Sequence, residues 1–245
     1  MVSDATIFIQ NRKDPISITN HRIKNILWYI LECHQIFIKD NKTYSKNWVR
    51  HNTTIHFEDY LKFEFIDNYL IPNKSQLKDI CTELEDINFA AETQQRYIDA
   101  DGKQKPDKID ICINKLGLQN EWNDADENIY FAIECKRIKH LADTNDYIDD
   151  IGKFCQRNHT NLRLPFGGQI AFIENSKLSH TNVKNEINKR LEKSKIIFTD
   201  SYLSSIKLHN TLDCSYHSSH KKNFLQKEQF SIYHLMFDYS EVVVE

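Results

Sequence analysis

Large apolar residues recur at helical spacing at Ile23, Ile26, Leu27, Ile30 and Leu31, which predicts a helix over Ile23 to Phe37 packed on the main body. Thr53-Thr54 offers an N-cap to a second helical segment, Ile55 to Leu70, apolar round most of its circumference and so buried on more than one side, with Pro72 ending it. From Ile87 the period changes to a strand that runs to Ile98 and stops at the turn cluster Asp99-Ala100-Asp101-Gly102. Two short apolar runs follow as strands, Ile109 to Ile113 and Ile129 to Cys135, separated by an acidic, Asn-rich loop from Asn120 to Asn128. Asp146 to Arg157 reads as a helix, Gly167-Gly168 as a break and Gln169 to Ile173 as a short buried strand. A basic amphipathic helix is expected over Asn182 to Lys195. Strands are expected at Lys195 to Phe198, Leu203 to Leu208 and Phe230 to Phe237, with Ser215 to Lys221 as a loop before the last. The order predicts an α/β fold, a mixed sheet flanked by helices. No repeat or linker divides the chain, so residues 1–245 read as one domain with residues 1–52 as an N-terminal helical extension.

Composition narrows this picture. With 245 residues, 40% apolar and 27% charged, the chain can bury a sizeable core, and 5 Gly and 4 Pro exclude collagenous and low-complexity designs. The net charge of −3 excludes bulk electrostatic attraction to nucleic acid, so any such contact must be local. A local source exists: Lys184, Lys189, Arg190, Lys193 and Lys195 can line one helix face. The six cysteines have no CxxC pair or regular spacing and read as reduced, buried thiols. No secretory pattern opens the sequence and no window matches a membrane span, so the expectation is a soluble cytoplasmic protein without a membrane partner.

The chemistry concentrates on two strands. Asp110 opens one, and Glu134 and Lys136 stand two apart at the end of the next, so they share a face while Cys135 points away. Two carboxylates on adjacent strands supply hard oxygen ligands for Mg²⁺ or Mn²⁺, and a neighbouring ammonium can orient or deprotonate an attacking water. Charges at the end of a strand as apolar as Ile129 to Ile133 are costly unless used or paired.

The run Lys105-Pro106-Asp107-Lys108-Ile109-Asp110-Ile111, followed by Ile133-Glu134-Cys135-Lys136-Arg137, resembles the active-site pattern of the PD-(D/E)xK nuclease superfamily, the restriction-endonuclease-like fold. The resemblance implies a core of helix, three antiparallel strands, helix and strand over residues 55–174. It further implies a metal-dependent phosphodiesterase in which Asp110 and Glu134 hold Mg²⁺ or Mn²⁺, the Cys135 carbonyl touches the metal, and Lys136 activates water. Similar downstream segments occur in uncharacterised bacterial members, several of them in phage-defence or restriction systems. The expected substrate is a nucleic acid, DNA first, with a protein partner of a defence system or a homo-oligomer restricting access.

Asp107 and Asp110 lie three apart, on opposite faces, so only one can be the ligand; the apolar run Ile109-Ile111-Ile113 favours Asp110. The superfamily often adds a helix Glu, for which Glu58 is preferred over Glu64, with Glu92 third. Gln156, Arg137 and Lys139 are further candidates for substrate contact. Two alternatives stand beside the nuclease: a non-catalytic subunit of the same fold, and a zinc-stabilised interaction protein built on His209, Cys214, His217 and His220.

Overall fold

A computed structural model describes residues 4–99, 101–159, 163–222 and 229–245. Ala100 of the expected turn lies outside them. The centre is an eight-stranded mixed sheet in the order β5-β2-β3-β4-β6-β9-β8-β7. Its strands are β2 (Asn88–Ile98), β3 (Gln104–Asn114), β4 (Tyr130–Ile138), β5 (Asn158–His159), β6 (Arg163–Ile173), β7 (Thr199–Ser205), β8 (Ser215–Lys221) and β9 (Gln229–Asp238). β4, β6 and β9 run parallel and the other pairs antiparallel. A separate parallel pair joins β1 (Tyr44–Ser45) to β10 (Val243–Val244).

The apolar stripe at residue 23 onward belongs to α1 (Asp4–Lys39), which runs further toward the N-terminus than its pattern predicts and buries Ile23, Ile26, Ile30 and Phe37. After α2 (Lys46–Asn52), the second helical segment starts later than expected, as α3 (Phe57–Phe65), with His56 rather than Thr53-Thr54 at the N-cap position and no side-chain cap. Pro72 does not end it. A π-helical turn, Ile66–Leu70, leads into α4 (Ile71–Asn73) and then α5 (Ser75–Ile80). In the widened turn the Ile71 N–H donates to the Ile66 carbonyl, and Pro72 falls in the first turn of α4, where no amide donor is needed.

α6 (Gln119–Trp122) interrupts the expected acidic loop, α7 (Thr144–Gln156) crosses between β4 and β6, and α8 (His180–Lys193) is closed by a Ser179–Asn182 capping box. α7 buries Tyr147, Ile151 and Phe154 at helical spacing, the stripe that packs it on the sheet. The series α3, antiparallel β2-β3-β4, α7 and β6 follows the expected order. Among the described residues no helix is long and apolar enough to cross a membrane, and all six cysteines are free and buried.

Three local expectations are corrected. Gly167-Gly168 is not a break but the middle of β6, where a Cβ on Gly168 would stand 2.7 Å from Ile133 Cγ1; glycine is needed there for close strand packing. Ser215–Lys221 is a strand, not a loop. Its buried Ser218 and His220 satisfy one another by hydrogen bonding, which hid a buried strand behind polar residue types. Lys195 to Phe198 forms no strand; β7 begins at Thr199.

Candidate active site

Register brings the expected residues together. Ile111 pairs with Ile133, so the next step along the two antiparallel strands sets Asp110 across from Glu134, where the ladder ends and the strands part. Glu134 is in turn level with Gln169 of β6, and Ala91 and Thr93 of β2 flank the position that faces Asp110, which is Glu92. A row of polar residues therefore crosses a sheet that is otherwise apolar at this height. α3 covers one side of the row with Glu58, Asp59 and Lys62, and α7 approaches with Asp150.

Lys62 is at the centre of the first cluster. Its side chain is 1% exposed, and its ammonium lies 2.8 Å from Asp59 Oδ1, 2.9 Å from Asp110 Oδ1 and 3.1 Å from Glu92 Oε1. Burial opposes its charge, but the facing Asp110 and Asp59 carboxylates outweigh burial and hold its pKa above the usual lysine range. The same contact draws Asp59 below the ordinary carboxylate range despite its burial. Glu92 reaches Lys62 from a left-handed backbone, φ 53°, that few non-glycine residues adopt inside a strand, and also meets Lys108 at 2.6 Å. The second oxygen of Asp110 accepts the Cys135 N–H at 2.8 Å.

Lys136 organises the second cluster. Its ammonium lies 3.2 Å from Asp150 Oδ2, 3.4 Å from Glu58 Oε1 and 3.1 Å from the Cys135 carbonyl. Burial again works against the charge, while Asp150 and Glu58 outweigh it and keep the proton on. An ammonium so held orients water and offsets negative charge; it does not take up a proton. Glu58 is fixed by its other oxygen, which accepts the Arg137 N–H at 3.0 Å.

Between the two clusters stands Glu134, which has no hydrogen-bond or ionic partner among the described residues. Burial, then the nearby Asp110 and Asp150 carboxylates, push its pKa well above the ordinary glutamate value, and Arg163 offsets this only in part. Six carboxylates (Glu58, Asp59, Glu92, Asp110, Glu134, Asp150) face four ammoniums (Lys62, Lys108, Lys136, Lys153). Arg163 is the further cation near Glu134, so the fully ionised group keeps an excess of negative charge. The oxygen-only donor set and the partnerless Glu134 fit a hard cation such as Mg²⁺ or Mn²⁺. Among the described residues no three ligating side chains already stand in a metal-holding arrangement. The two lysines explain this, since each draws carboxylates round its own nitrogen.

Other residues named from the sequence fall elsewhere. Asp107 pairs with Arg157 and His159, and the His159 hydrogen bond and the Arg157 charge hold its carboxyl low although burial opposes them. Glu64 accepts from Asn68, away from the site. Arg137 is committed to a bidentate pair with Glu174 and stacks on Phe57, so it is not the free phosphate contact expected of it. Gln156 is exposed in a groove of about 590 Å³ between α7 and α8, which Lys153, Arg190 and Lys193 also line. His209 bonds Glu32, and the three-residue spacing of His217 and His220 on β8 turns them to opposite faces.

Lys62 and Asp150 escaped the sequence reading. Lys62 was visible as a lysine among Leu61, Phe63 and Phe65 on a helix apolar all round, and Asp150 as a carboxylate inside the Tyr147-Ile151-Phe154 stripe. No protein-family model, no curated protein and no solved structure matches the chain.

Proposed function

We propose that this chain is a divalent-metal-dependent nuclease that hydrolyses phosphodiester bonds, of DNA in the first instance, within a bacterial defence or restriction system. The observation that carries the reading is the meeting of Asp110, Glu134 and Lys136 where β3 and β4 part, among carboxylates that outnumber the cations beside them. Asp110 and Glu134 would hold Mg²⁺ or Mn²⁺, with the Cys135 carbonyl within the same cluster. Such an ion polarises a phosphate and lowers the pKa of bound water.

The chain's own groups supply the rest. Lys136, held by Asp150 and Glu58, would direct its ammonium toward an attacking water and offset charge as the phosphorus becomes five-coordinate. Glu58, tied to the Arg137 N–H, fixes the distance between α3 and the end of β4. The groove beside α7, with Lys153 and Lys193, lies where backbone phosphates could be followed outward. The acidic balance of the whole chain suits a substrate delivered by a partner protein or a second copy rather than by long-range attraction.

A second reading, a nuclease-fold binding subunit without activity, draws support from Lys62, whose ammonium takes Asp110 Oδ1. Incubation of purified protein with supercoiled plasmid, single-stranded DNA and RNA in Mg²⁺, Mn²⁺ or EDTA separates the two. The nuclease reading expects cleavage in a divalent ion and none in EDTA. Intact substrates in every divalent condition would leave the binding subunit.

A further inference from the structure

Lys62 poses a problem for any ion that approaches Asp110. A lysine side chain 1% exposed is uncommon, and this one is ringed by carboxylates from three elements: Asp59 on its own helix, Glu92 on β2 and Asp110 on β3. The ring is built at some expense. Glu92 reaches it from a left-handed backbone at φ 53°, a conformation that costs on the order of 1 kcal/mol or more for a non-glycine residue. Asp110 has one oxygen on the Cys135 N–H and the other on Lys62, so both oxygens already have a partner and a cation that takes Oδ1 meets the ammonium. A divalent cation bound at about 2.1 Å and an ammonium at 2.9 Å cannot share that oxygen without strong repulsion.

We propose that Lys62 is a resident counter-ion of the metal site, holding Asp59, Glu92 and Asp110 together without a divalent cation and yielding Asp110 when the cation arrives. The inference rests on the metal-dependent reading above. Asp59 and Glu92 provide the place to which the ammonium retreats, so the side chain stays paired in both states. Metal affinity is then set by a competition inside the protein as well as by the ligands. The site would fill only at divalent concentrations high enough to displace the lysine, which keeps a hydrolytic centre silent at low metal.

The test is Mn²⁺ binding by the intact chain, read from the free-ion paramagnetic resonance signal and from melting temperature against Mn²⁺ concentration. Lys62→Met keeps the apolar stem and removes the charge. It should melt below wild type in EDTA, bind Mn²⁺ about tenfold more tightly or better, and gain more stability from Mn²⁺ than wild type does. Asp59→Asn removes one retreat position and ties Lys62 more firmly to Asp110, so it should weaken Mn²⁺ binding severalfold while folding normally. If Lys62→Met does not fold, Asp59→Asn alone decides. Unchanged or weaker binding in Lys62→Met, unchanged or tighter binding in Asp59→Asn, or no Mn²⁺ bound by any form overturns the proposal. Tighter binding in Lys62→Met with no cleavage by wild type would uphold the counter-ion and remove the nuclease; cleavage by wild type without the affinity change would do the reverse.

Discussion

Replacing Glu134 by Gln keeps the side-chain shape and removes a charge that has no ionic partner among the described residues. A buried polar group left unpartnered costs about 1–3 kcal/mol, and more when charged. Gln retains an unmet amide but escapes the repulsion of Asp110 and Asp150, so a net gain of about 1–2 kcal/mol is expected in the metal-free protein. For a chain of this length that is a rise in Tm of roughly 2–6 °C. The pH dependence follows from the direction of the shift. Folding raises the Glu134 pKa, so the wild-type chain loses stability as pH climbs above the ordinary glutamate value of 4.5 toward the raised one, whereas the Gln variant does not. The advantage of Glu134→Gln should therefore be small near pH 4.5, larger at pH 8, and diminished or reversed by Mg²⁺. Thermal melts of both proteins in EDTA at the two pH values measure it. Asp110→Asn should show the opposite sign, a loss of about 1–3 kcal/mol, because Lys62 and the Cys135 N–H both depend on that carboxylate. A Glu134→Gln variant that melts below wild type at pH 8 would refute the claim that Glu134 is an uncompensated charge.

Glu58→Gln should lower the cleavage rate about tenfold without unfolding the chain, since Gln can still accept the Arg137 N–H but no longer balances Lys136; Glu64→Gln, bonded to Asn68, should leave the rate unchanged. Equal losses in the two would remove Glu58 from the site. Gly168→Ala should lower Tm by several degrees, because its Cβ would meet Ile133 at 2.7 Å and overpacking of a core typically costs about 1–3 kcal/mol; a melt equal to wild type would show that the strands can separate locally.

What could be read from the sequence was whatever rests on alternation and spacing. Glu134 and Lys136, two apart at the end of an apolar strand, and Asp110 within the Ile109-Ile111-Ile113 run carry their geometry in their order, and the structure sets Asp110 and Glu134 across from one another. Glu58 could be ranked above Glu64 but not placed, because its contact with the Arg137 N–H depends on how α3 crosses β4. Lys62 stands out in the sequence as a lysine at a buried helix position, but its partners do not, because only tertiary packing brings three carboxylates to it. Polar residues that satisfy one another also misled. Ser218 and His220 read as a loop, yet the Ser218 hydroxyl lies 2.8 Å from the Nε2 atoms of both His220 and His234, which makes a buried strand affordable. Gly167-Gly168 reads locally as a break, and only the proximity of Ile133 and Phe230 explains it as a tight strand crossing.

The account stands most directly on Lys136, the residue whose charge is asked to act on the reacting water and phosphate. Single-turnover cleavage of a labelled duplex by wild type and Lys136→Ala, in saturating Mg²⁺ and again in EDTA, measures that role. The expected result is metal-dependent cleavage by wild type and a rate at least about 100-fold lower in the variant, with its fold retained. A Lys136→Ala protein that cuts at the wild-type rate, or wild-type cleavage that persists in EDTA, would contradict the assignment of this site.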